Sequence, residues 1–139
     1  MKAFPNESKA TFQLPGPSGQ LEVLTSWPQS TTTDYVAIIC HPHPQQEGTM
    51  HNKVVTTVYK ACEQVGMATV RFNFRGVGAS SGQYGEGVGE QEDLLAVCSW
   101  VTQVLPHAKI ILAGFSFGSF IAANVAQQIK PVALVTVAP

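Results

Sequence analysis

Charge is scarce in this chain: charged residues make up 12% of its 139 residues, against 45% hydrophobic ones. That balance excludes a disordered or fibrous polymer and predicts one core-rich domain spanning residues 1–139. A basic stripe is also missing, because the Lys and Arg residues are scattered and the net charge is −1. Nucleic acid and anionic membrane surfaces are therefore excluded as partners. Met1-Lys2-Ala3-Phe4-Pro5-Asn6 lacks the apolar core of a signal peptide, and no run approaches the ~20 apolar residues that span a bilayer. These absences predict a cytoplasmic protein. Cysteine is sparse and odd in number: Cys40, Cys62 and Cys98 lie far apart in apolar runs. They read as reduced core thiols, not as a disulfide framework or a zinc site.

The last absence is local. After Phe117 the chain contains no Asp, Glu or His up to Pro139.

What is present alternates between strand and helix signals. Ala10, Phe12 and Leu14, then Leu21, Val23 and Thr25, alternate with polar residues about a Pro/Gly turn, which predicts an antiparallel hairpin. A polar stretch over residues 28–34 leads to Tyr35-Val36-Ala37-Ile38-Ile39-Cys40, apolar on both faces and suited to a buried strand. Val54, Val55, Val58, Cys62 and Val65 predict a helix over residues 50–65, with Thr49 as N-cap and Gly66 at its end. Residues 68–74 predict a second buried strand. Glu90, Glu92 and Asp93 open a second helix, where the dipole favours acids, and Leu94, Val97, Cys98, Val101 and Leu105 form its core stripe before Pro106. Residues 109–114 predict a strand, 117–129 a helix with Phe120, Ile121 and Val125 inward, and 132–137 a last strand. The expected fold class is α/β, a mostly parallel sheet with an N-terminal antiparallel hairpin.

Gly114-Phe115-Ser116-Phe117-Gly118 sits between an apolar strand and an amphipathic helix, the context that a G-x-S-x-G nucleophile turn requires. Such a turn holds the serine in a strained conformation, and Gly114 and Gly118 remove side chains that would collide with neighbouring strands. It also aims the Phe117 N–H, at a helix N-terminus, toward a developing oxyanion. A second donor is expected from the loop after the first core strand, His41-Pro42-His43-Pro44-Gln45. Pro42 and Pro44 have no N–H, which leaves His43, with Gln45 as the next choice. His41, His43 and His51 with Glu47 also admit a metal reading, but no further ligands stand at supporting spacing. His107 precedes its strand and falls at the far end of the sheet. Gly76-Val77-Gly78 invites a dinucleotide reading that fails because Ser81 holds the third glycine position. The plainer reading is a chain reversal in which Gly76 and Gly78 take positive φ, with Arg75 and Ser80 holding it.

Taken in order, three segments resemble the α/β-hydrolase superfamily, in particular small bacterial serine hydrolases related to dienelactone hydrolase. They are His41-Pro42-His43-Pro44 with Gly48-Thr49-Met50, Asn73-Phe74-Arg75-Gly76-Val77-Gly78-Ala79-Ser80, and the glycine-flanked serine. The resemblance implies hydrolysis of a small ester or related acyl substrate through an acyl-enzyme on Ser116, with oxyanion donors at Phe117 and the His43 loop. It implies no metal and no organic cofactor. In that family an acid and then a histidine follow on later strands. Both are absent here, so the fold is expected to stop after the strand that follows the serine helix, with a C-terminal part missing. Residues 132–137 would then form an apolar sheet edge open to a second copy of the chain. The alternative to an enzyme is a noncatalytic hydrolase-like binding or assembly module using that edge. His41 acting as a substitute base is the remaining catalytic alternative, though it lacks an evident orienting partner.

Overall fold

The computed structural model describes residues 1–30 and 34–139; Thr31, Thr32 and Thr33, within the polar stretch expected at 28–34, lie outside the described residues. Six strands form one sheet in the order β1-β2-β4-β3-β5-β6. The strands β1 (Lys9–Gly16) and β2 (Gly19–Ser26) make the antiparallel hairpin, and β2 joins β4 (Ala68–Phe72) antiparallel as well. From β4 onward β3 (Tyr35–Cys40), β5 (Lys109–Phe115) and β6 (Ala133–Val137) pair in parallel. The expected α/β architecture is present.

The unbroken apolar run of β3 follows from its being covered on both faces. Val36, Ile38 and Cys40 face the larger core with Leu94, Val97 and Val101 of α2 (Val88–Val104) and Ile121 and Val125 of α3 (Phe117–Ile129). Ile39 faces the other way, against Val55 and Tyr59 of α1 (Lys53–Gln64). Alternate residues of one strand thus feed two separate cores, which a wet-faced strand could not do.

Four local expectations are corrected. Thr49 is not the N-cap of α1; Asn52 is, accepting from the Val54 and Val55 N–H groups at 2.8 and 3.3 Å. The buried positions of α1 are Val55 and Tyr59, while Val65 is 59% exposed, because a stripe centred on Val55 recurs at Tyr59 four residues on. The second core strand ends at Phe72, not at residue 74: Asn73 still donates to the Glu22 carbonyl opposite it, but the Glu22 N–H turns to the Ser80 hydroxyl and the Phe74 N–H to the His41 ring, so the ladder goes no further. Phe120 does not point inward; it is 56% exposed, since Ile121 next to it takes the inward position and the helical turn carries Phe120 outward. The α2 stripe is buried as expected from Leu94 to Val101, with Leu105 at the C-cap.

Candidate active site

Registry decides what meets at the carboxyl edge of the sheet. Cys40 pairs with Gly114, so the loop leaving β3 stands beside the turn leaving β5. Ser116 occupies that turn with φ 55° and ψ −118°, a region that costs a non-glycine residue about 1–3 kcal/mol. Glycine is required on both sides by close approach. A Cβ on Gly118 would run into the Cys40 backbone and stand 2.6 Å from the His41 carbonyl oxygen; one on Gly114 would overlap the Gly118 backbone. The turn is also tied to the last strand. The Val137 carbonyl accepts from the Ser116 N–H at 2.9 Å and lies 3.1 Å from the Ser119 hydroxyl, which is 2.8 Å from the Gly114 carbonyl. The Ser116 side chain is exposed and makes no capping bond. Phe117 is the first residue of α3, where no residue of the helix can accept from its N–H.

The two histidines of the β3 loop have different fates. His41 is fully buried; its Nε2 accepts from the Phe74 N–H at 3.1 Å, so the ring proton sits on Nδ1, which donates to the Pro42 carbonyl at 2.7 Å. Burial lowers its pKa to about 4, against a smaller upward pull from the Pro42 bond. Both nitrogens are committed and the ring is neutral, so His41 cannot serve as a base for Ser116. His43 caps the short 3-10 turn Pro44–Gln46, its Nδ1 accepting from the Gln45 N–H at 3.1 Å. Gly48 closes this loop by donating its N–H to the His43 carbonyl at 3.0 Å. Among the described residues no group of three or more His, Cys, Asp or Glu is gathered that could hold a metal ion.

The glycine-rich segment after β4 is held by polar bonds from three elements. Gly76 and Gly78 take φ 79° and 52°. The Arg75 guanidinium reaches Asp93 of α2 at 2.9 Å, and the Arg75 N–H donates to the same carboxylate at 2.9 Å. This hydrogen-bonded pairing raises the Arg75 pKa. Ser80 donates to the Asn73 carbonyl at 2.6 Å and accepts from the Glu22 N–H at 2.9 Å. The Asn73 side chain accepts from the Met50 N–H at 2.8 Å and donates to Glu22 at 2.7 Å, joining the β3 loop to the β4 loop. Glu90, read from sequence only as a dipole-favoured acid, accepts from the Gly85 and Gly87 N–H groups at 2.7 and 2.8 Å.

Other features stand apart. His107 is exposed beside an apolar pocket with Trp27, Tyr35 and Ala68, at the opposite end of the sheet from Ser116. The three cysteines are free, and burial raises their pKa values, that of Cys98 to about 12, so none is a reactive thiolate. No helix among the described residues is long and apolar enough to cross a membrane. Tyr84 was missed by sequence reasoning. It stands alone in a glycine-rich loop, and nothing in its spacing signals that its hydroxyl meets His43 Nε2 at 3.2 Å.

Comparison with known proteins agrees with this arrangement. Residues 38–139 match the alpha/beta hydrolase fold family. An alpha-beta serine hydrolase homologue from Coxiella burnetii is 53% identical and superposes with a TM-score of 0.92, over 94% of this chain and 62% of that one. A member of the α/β serine hydrolases without a lid, from Xanthomonas campestris, is 42% identical with a TM-score of 0.95, over 100% of this chain and 64% of that one. An uncharacterized protein of Rickettsia prowazekii is 40% identical over 114 residues, 81% of this chain and 48% of its own length. The chain spans about half the length of that curated relative and 62% and 64% of the two solved structures. With its sheet order, its strained serine turn and a family match over residues 38–139, the chain belongs to the α/β-hydrolase fold family.

Proposed function

We propose that the protein is a serine hydrolase of the carboxylesterase type, with Ser116 as its nucleophile. The observation that carries this reading is the Ser116 backbone at φ 55° between Gly114 and Gly118, a strain with no structural use unless the hydroxyl must project from the sheet edge. The Ser116 hydroxyl attacks the ester carbonyl and its proton passes to a histidine base. The carbonyl oxygen, now an anion, takes bonds from the Phe117 and His43 N–H groups. The alcohol leaves with the proton, the acyl group stays on Ser116, and water then releases the acid. His41 is spent on Phe74 and Pro42, and no Asp, Glu or His follows Phe117. The base and its orienting acid accordingly belong to sequence after Pro139, in the order serine, acid, histidine that the resemblance to dienelactone-type hydrolases implies. The lidless Xanthomonas relative supports a small ester as substrate, reaching Ser116 from open solvent. No metal or cofactor takes part in this scheme, and the protein acts in the cytoplasm.

Labelling of the intact gene product with a fluorophosphonate tests this directly. Ser116-dependent labelling is expected, and a folded, unlabelled product would overturn it. A second reading, a noncatalytic assembly module pairing through β6 with another copy, is favoured by one observation: Leu134 and Val135 are 41% and 44% exposed. Labelling at Ser116 would end that noncatalytic reading.

A further inference from the structure

Four aromatic rings gather where the β3, β4 and β5 loops meet. The His43 ring lies 4.7 Å from the Phe117 ring and 5.2 Å from Tyr84, and Tyr84 lies 6.2 Å from Phe117, so these three close a triangle. Phe74 supports Phe117 edge-on at 5.8 Å and packs on the structural His41 at 4.7 Å. Two corners of the triangle, His43 and Phe117, are the residues whose backbone N–H groups are proposed to hold the oxyanion. The third corner comes from a different loop and touches both.

Hydrogen bonding fixes the direction of the tyrosine contact. His43 Nδ1 accepts from the Gln45 N–H, so in the neutral ring the proton is on Nε2, and Nε2 donates to the Tyr84 hydroxyl oxygen at 3.2 Å. The ring is held at both nitrogens and on its face. With χ1 and χ2 fixed in this way, the backbone of His43, flanked by Pro42 and Pro44, has little freedom to turn its N–H away. Pro44 already holds the His43 backbone extended and Pro42 fixes its own φ, but neither restrains the His43 side chain, which these contacts keep in one rotamer.

We infer that Tyr84 is a positioning residue for the oxyanion hole: through His43 Nε2 and the Phe117 ring it sets the separation and orientation of the two N–H donors. The inference rests on the serine-hydrolase reading above. A donor displaced by even part of an ångström loses most in the transition state, where the charge is on the oxygen, and little when neutral substrate binds. Tyr84 therefore acts on turnover and leaves substrate binding almost unchanged.

Tyr84→Phe keeps the ring against Phe117 and removes only the acceptor of the His43 bond. Hydrolysis of 4-nitrophenyl acetate by the intact gene product is expected to lose about 5–10-fold in kcat, with KM within about 2-fold of the parent. The second-order rate of fluorophosphonate labelling should fall by a similar factor. His43→Asn supplies the control, because its side-chain oxygen can still accept from Gln45 but cannot reach Tyr84. In that background Tyr84→Phe should add no further loss, the signature of two residues acting through one contact. An unchanged kcat in Tyr84→Phe, a loss carried wholly by KM, or losses that multiply in the double variant would each overturn the inference. Absence of labelling in the parent protein would instead defeat the serine-hydrolase reading, so the two failures are distinguishable.

Discussion

Two stretches of the same sheet edge, only a few strands apart, treat their polar groups in opposite ways. Above β2 and β4 the side chains of Glu22, Asn73, Ser80, Arg75 and Asp93 satisfy one another and the turn backbone, and the unpartnered Thr25 Oγ1 and Arg71 Nε lie within the strands below them. Above β5 the Ser116 hydroxyl is exposed without a capping bond, and the Phe117 N–H begins its helix. A loop whose groups are all matched has only one good arrangement and contributes stability. The serine turn is tied to β6 through its backbone and Ser119, but the Ser116 hydroxyl itself adds no bond to that stability and stays open to solvent. The difference separates what keeps the edge in place from what the edge presents.

The sharpest way to break that division is to remove the serine hydroxyl. Ser116→Ala is expected to abolish fluorophosphonate labelling and to lower esterase turnover by at least about 10⁴-fold. Its urea-unfolding free energy should stay within about 0.5 kcal/mol of the parent, because the hydroxyl makes no bond to lose. A large loss of stability would show that the open side is structural after all.

On the matched side the order reverses. Arg75→Met leaves the Asp93 carboxylate, fully buried, without its guanidinium partner. A stability loss of about 3–5 kcal/mol is expected, read as a lower urea midpoint at unchanged slope. A loss under about 1 kcal/mol would mean that the pair holds nothing.

His41 sits on the boundary between the two stretches and responds to pH. Its folded pKa of about 4 lies below the ordinary 6.5, so the unfolded chain binds the extra proton first as pH falls. Its contribution is whole above pH 6.5 and is lost as pH falls toward 4, about 3 kcal/mol in all. Unfolding free energy measured from pH 7 to pH 4 should decline accordingly, and His41→Gln should flatten the part of that slope due to this ring. An unchanged slope in the variant would show that the ring titrates alike in both states.

Much of this was legible in the residues, for a physical reason. Periodicity and strand-to-helix context report burial, so the β3 run, the helix beginning at Phe117 and the Gly114 to Gly118 turn all appeared where the sequence pattern put them. The glycines read the same way: Gly76 and Gly78 adopt the positive φ expected of them. What the pattern did not carry was pairing across distance. Nothing local says that Arg75 belongs to Asp93, that Tyr84 belongs to His43, or that Phe120 yields the inward position to Ile121. The first two were decided by partners remote in sequence, the third by the core against which α3 packs Ile121.

The start of α1 shows such a decision at its smallest scale. Thr49 and Asn52 are both good N-cap residues, and local chemistry does not choose between them. Tertiary contacts do: Asn73 accepts from the Met50 N–H at 2.8 Å and Arg71 donates to the Met50 carbonyl at 3.3 Å, which holds Met50 outside the helix. Thr49 is left to accept from the His51 N–H at 3.1 Å in a side-chain turn, and Asn52 caps Val54 and Val55. Asn52→Ala is therefore expected to cost about 1 kcal/mol in urea unfolding and Thr49→Ala only a few tenths, about 0.3 kcal/mol. The reverse order would mean that the helix begins at Met50 in solution, and that the grip of Asn73 and Arg71 on the loop beside Ser116 is weaker than their distances imply.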